Sequence, residues 1–108
     1  ISEARDKAMR GPFLLLAVAK LGAAEEEIPA QERLISAGCA IQNILLTAHS
    51  LGFAAGISSG KAIYSQRMKD LFSLKADEAP LCFITIGTAT TNKAGRIRPG
   101  FADYSSSF

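Results

Sequence analysis

A single histidine, His49, and two cysteines, Cys39 and Cys82, are the only imidazole and thiol side chains in this 108-residue chain. The cysteines lie far apart without CxxC spacing, and no acid is suitably placed to complete a ligand set with them, so no metal centre is predicted. Both are expected to be reduced, buried thiols, with one disulfide as the alternative that spacing leaves open. His49 falls on the polar side of a long helical pattern and reads as a surface or interface residue. Neither a Gly-x-Ser-x-Gly elbow nor a Walker A loop is present. The glycines from Gly52 to Gly56 resemble a dinucleotide loop only superficially, because they follow a helix and the fingerprint requires a preceding strand. Glu25, Glu26 and Glu27 read as a solvated loop. No residue is assigned as a catalytic acid or base.

The elements around these residues point elsewhere. Residues 2–10 read as a short polar helix stopped by Gly11-Pro12. The unbroken apolar run FLLLAVAK, 13–20, fits a strand covered on both faces, as in a parallel or mixed sheet. After a surface connection over 21–29, a helix is predicted from Pro29 to Leu51, roughly 33 Å long at 1.5 Å per residue. Gly52 is placed to take the left-handed conformation that ends it. Leu34, Ile35, Cys39, Ile41, Ile44, Leu45, Leu46 and Leu51 spread apolar surface around most of this rod, leaving a thin polar stripe at Ser36, Asn43 and Ser50. Such a helix needs cover on several sides, and a partner subunit is expected to supply some of it. Residues 53–62, small and rich in glycine and serine, read as a segment where backbone approaches something closely. Ser65 is a candidate N-cap for a short helix carrying Met68, Leu71 and Phe72. A turn is expected over 77–80, then a second buried strand over 81–88, and an irregular tail that needs a surface to lie on.

Bulk composition narrows the classes. An apolar share of 48% with 20% charged residues is globular, not disordered, and suits one domain. A net charge of +2 gives no reason to expect nucleic acid or an anionic membrane as a partner. No apolar run reaches the ~18 residues that span a bilayer, and no signal segment opens the chain, so a cytoplasmic location is expected. The opening ISEARDKAMRGP reads as a helix and its exit, implying that the beginning of the protein lies outside this chain. A long helix, a glycine–serine segment and two core strands, with no acid–base constellation, suit the holding of a planar cofactor by backbone groups.

Four stretches carry a resemblance in the right order. SAGCAIQNILLTAHSLGFAAGISSG, 36–60, is similar to the nitroreductase-family helix that ends at Leu-Gly-Phe and is followed by a G-x-W-x-S-G segment. LCFITIGT resembles that family's closing strand, and RDKAMRGPFLLLAVAK its preceding helix exit and strand. The resemblance implies an α/β (α+β) nitroreductase-like fold, a mixed central sheet flanked by helices, here the carboxyl-terminal portion of one domain over 1–108 and lacking the amino-terminal helices. It further implies an obligate homodimer with FMN at the subunit interface. NAD(P)H would be the reductant, and nitro compounds, quinones or similar acceptors would be reduced in a ping-pong cycle. On the matching positions, Ile57, Ser58 and Ser59 are expected along the flavin, acting largely through backbone groups. Thr47, Ala48, His49, Ser50, Leu51 and Gly52 match where relatives are proposed to meet the nicotinamide cofactor, and Arg96 and Arg98 are expected to pair with the FMN phosphate. Ile57-Ser58 departs from the family's frequent Trp-Arg. The family's amino-terminal Arg-Arg-Ser has no counterpart here, and losing such contacts, each worth ~1.5 to 3 kcal/mol, would weaken flavin binding by orders of magnitude. The alternatives are a non-catalytic flavin-binding or structural dimer module, and, within the fold, a flavin-using dehalogenase or flavin-destroying enzyme.

Overall fold

The computed structural model describes residues 13–22, 27–89 and 94–108. Along them run strand β1 (Phe13–Lys20), helix α1 (Ala30–Ser50) and strand β2 (Ala54–Ser58). A 3-10 turn (Lys61–Tyr64), helix α2 (Gln66–Leu71), strand β3 (Glu78–Gly87) and a single helical turn α3 (Phe101–Tyr104) complete the order. The helix expected over 2–10 lies outside the described residues.

β3 is the centre of a three-stranded sheet of order β1-β3-β2, antiparallel to both neighbours. The class is therefore the expected one, helices about a central sheet, and both pairings among the described residues are antiparallel. Alternation along β3 puts Pro80, Cys82 and Ile84 on one face, and all three are buried. Ile84 is the deepest, at 1% exposure, opposed by Leu15 on one side and Ile57 on the other. Its neighbour Phe83 points to the opposite face and meets Phe72, just past α2, with ring centroids 6.4 Å apart.

The turn expected over 77–80 is shorter than that. β3 already begins at Glu78, so Glu78, Ala79 and Pro80 are strand. Proline lacks the N–H that a doubly paired strand needs, but β2 reaches only Phe83, so at Pro80 the strand has a single neighbour. A register shift between Ala17 and Val18, opposite Cys82 and Pro80, absorbs the irregularity. Residues 53–62 are likewise not one loop. Ala54 to Ser58 pair with β3, since small residues that admit close backbone approach also admit a ladder.

α1 occupies nearly its expected span. Arg33 ties its first turn to the strand before it, donating to Ile28 O at 3.1 Å and Lys20 O at 2.9 Å. Ser65 caps α2 as expected, accepting from Met68 N at 3.2 Å. Within one copy of the chain, α1 buries only Ala48, and Ile35 is 68% and Leu46 56% exposed. The two cysteines part company: Cys82 is buried, Cys39 is exposed on α1, and both are free thiols. Cys39 was expected to be buried, and it is not because α1 presents that side away from the sheet.

Replacing Ile84 by Ala removes a fully enclosed side chain and should cost about 2–5 kcal/mol, read as a lowered urea midpoint, whereas Ile97→Ala, at a position 100% exposed, should change it by about 0.5 kcal/mol or less. Burial also raises the Cys82 thiol pKa above its ordinary value. The folded chain then holds that proton more tightly than the unfolded one, so stability is intact below the unfolded value and falls as pH rises through it. Denaturation curves from pH 7 to 10 should show this alkaline loss, and Cys82→Ala should flatten it.

Candidate functional site

The end of α1 is closed by two backbone hydrogen bonds. Gly52 sits at φ 89° and donates to His49 O at 3.0 Å, and Phe53 donates to Ala48 O at 2.9 Å. This is a Schellman closure, in which the left-handed residue lets the chain turn back over the last helical carbonyls. Ser50 Oγ donates to Thr47 O at 2.8 Å, adding a further bond at the same end. The closure throws Phe53 back beside Ala48 and delivers Ala54 directly into register with Gly87.

Between this helix end and the sheet lies an open groove of about 570 Å³. The helix contributes Asn43, Ile44, Thr47 and Ala48, one side of its last two turns, and Leu51 follows just past its end. Phe13 and Ile86, directly opposed across β1 and β3, form the floor, and Phe53, Gly87 and Thr88 close the end. The volume falls in the range of ~300–1,000 Å³ usual for small-molecule sites. Its lining is overwhelmingly apolar. Asn43, Thr47 and Thr88 are its only polar side chains, and no charged side chain lines it among the described residues.

The groove thus gathers part of the expected site. Thr47, Ala48 and Leu51 line it, while His49 and Ser50 share the same turn, exposed and outside the lining. Gly52 shapes the closure. Ile57 and Ser58 lie on β2, beyond its groove end, with Ser59 just after the strand. Arg96 and Arg98 stand on the exposed segment before α3, and neither lines the groove. Phe13, Asn43, Ile44, Phe53, Ile86, Gly87 and Thr88 were not among the site residues expected from sequence. Asn43 and Thr47 are four apart on a helix and so share a face, a signal available without a structure. The meeting of Phe13 with Ile86 depends on strand register and had none. Among the described residues no group of His, Cys, Asp or Glu could hold a metal ion, and no helix is long and apolar enough to cross a membrane.

The nitroreductase family model matches residues 2–88, most of the chain, and the chain belongs to the nitroreductase family. It is 28% identical over 88 residues to a provisionally named NAD(P)H nitroreductase of Haemophilus influenzae, covering 82% of this chain and 48% of that protein. A nitroreductase-like family protein of Bacillus cereus superposes with a TM-score of 0.85 at 16% identity, over 99% of this chain and 56% of that one. A provisionally named nitroreductase of Exiguobacterium sibiricum, solved in complex with FMN, gives 0.63 at 20% identity, over 97% and 47%. At such identities the superpositions establish the fold. The chain spans about half the length of these relatives.

Gly52→Ala should lower stability by about 1–2 kcal/mol, because a Cβ at φ 89° is strained although nothing lies within 4 Å of it. Thermal melts measure the loss, and amide hydrogen exchange should show the Phe53 N–H losing protection first.

Proposed function

We propose that this chain is the carboxyl-terminal portion of an FMN-dependent oxidoreductase domain that passes electrons from NAD(P)H to nitro compounds, quinones or similar acceptors. Family membership and the groove at the end of α1 support this reading, and the groove is the observation that carries it. Its apolar floor at Phe13 and Ile86 suits an apolar ring, and its volume is of the size that holds one ring system. The lining offers nothing for a phosphate, so Arg96 and Arg98 are the residues proposed to hold that group by bidentate contacts. Ile57, Ser58 and Ser59 are proposed to lie along the flavin from the β2 side, and residues 47–52 to meet the nicotinamide end.

FMN, where bound, would supply two-electron hydride chemistry between the nicotinamide cofactor and the acceptor. The chain's own residues bind and orient. Ala48, Phe53 and Ile86 exclude water from a ring laid on the floor, and the Asn43 amide and Thr47 hydroxyl offer hydrogen bonds along one wall. The exposed apolar side of α1 is proposed to pack against a second copy of the protein. Leu34, Ile35 and Leu46, all exposed in one chain, are the surface this would cover.

The protein is expected to purify yellow, to bleach with NADPH under anaerobic conditions, and to recover its colour on adding a quinone. Arg96→Gln and Arg98→Gln should each lower FMN affinity about tenfold or more, followed by flavin fluorescence. A colourless dimer indifferent to added FMN would overturn the reading in favour of a structural module.

A further inference from the structure

The side of α1 turned away from the sheet carries a pattern of its own. Arg33, Ala37, Ile41, Leu45 and Ala48, all at least half-buried, mark the covered side. Opposite them run Glu32, Ile35, Cys39, Gln42, Leu46 and His49, spaced three and four apart by turns, and all six are exposed. This is the spacing of the seam between two paired helices. The stripe is roughly 26 Å long, and its only charged or titratable ends are Glu32 and His49, since nothing from Leu34 to Ala48 bears a charge.

Reversed, the stripe is complementary to itself. Set two of them antiparallel with the midpoint between Ala40 and Ile41. Glu32 then meets the partner's His49, Ile35 the partner's Leu46, and Cys39 the partner's Gln42. Each contact recurs once about the two-fold axis, as a closed interface between identical chains requires. The acid lies in the first turn of α1 and the base in the last, so acid meets base at both ends. The two large apolar side chains of the stripe cover one another. A parallel pair would instead set Glu32 against Glu32 and His49 against His49. Near the midpoint the residues are small, and a Cβ at Gly38 would meet nothing within 4 Å, space that a second rod can take.

We infer that two copies of the protein pair antiparallel through this stripe, with Glu32 of each against the partner's His49. The inference deepens the second-copy packing proposed for α1 and rests on it. It accounts for the exposed Ile35 and Leu46 and not for Leu34, which lies off the stripe. Asn43 lies beside Gln42 and lines the groove, so the second rod runs along the groove's edge.

Sedimentation of the full-length protein measures the dissociation constant of the dimer. His49→Glu sets carboxylate against carboxylate at both ends and should weaken the dimer roughly threefold to tenfold. Adding Glu32→Lys should return it to within about threefold of wild type. Adding Ala30→Lys instead, the same charge on the other side of the first turn, should not. In a second readout, Gln42→Cys sets a thiol against the partner's Cys39. Oxidation by copper–phenanthroline should then link the chains into covalent dimers on a non-reducing gel, and Cys39→Ser should remove the link. A monomeric protein would overturn both this inference and the second-copy packing beneath it. A dimer that His49→Glu leaves unmoved, that Glu32→Lys rescues no better than Ala30→Lys, or whose thiols fail to link would overturn the register alone.

Discussion

The closure at Gly52 is the constraint on which the rest of the site depends. A 21-residue helix running over a sheet must stop, reverse and enter a strand within three residues. Only a residue at ease with positive φ lets Phe53 reach back to the Ala48 carbonyl while Ala54 meets Gly87. One backbone geometry therefore fixes the end of α1, the start of β2 and the edge of the groove together. Shifting the stop by one residue would turn the β2 side chains to the other face of the sheet and remove Phe53 from the groove.

Beneath that closure the packing is uneven. β3, paired on both sides from Phe83 to Ile86, holds the deepest residue, Ile84, and Ile63 in the 3-10 turn is the other one nearly enclosed. α1 is anchored at Ala48 and by the bonds from Arg33, yet shows much of its apolar surface to solvent. A solvent-facing rod of this kind is unfavourable for an isolated chain. The proposed pairing with a second copy would relieve it by covering Leu34, Ile35 and Leu46. Phe101 and Tyr104, stacked edge to face on the α3 turn and both largely exposed, add apolar surface at the far end of the chain.

Charge is partitioned in a similar way. The groove is neutral and apolar, whereas the exposed segment before α3 carries Arg96 and Arg98. A ligand with a flat apolar ring and an anionic tail would find matching chemistry in two separate places.

Sequence alone determined the elements with strong local signals. The apolar run of β1, the long period of α1, Gly52 as its terminator, Ser65 as a cap and the β-rich closing strand each follow from side-chain preference over a few residues. The family likeness was readable for the same reason, because it resides in those stretches. Tertiary structure decided what no local rule encodes. Ala54 to Ser58 became a strand only because β3 offered them a free edge, and Pro80 stayed in a strand only because β2 ends short of it. The groove arises where Phe13, Ile86 and the last turns of α1 meet, residues up to 73 positions apart that register and the helix stop bring together. Burial of Cys82 and exposure of Cys39 were settled likewise, by which side of each element the sheet and α1 happened to cover.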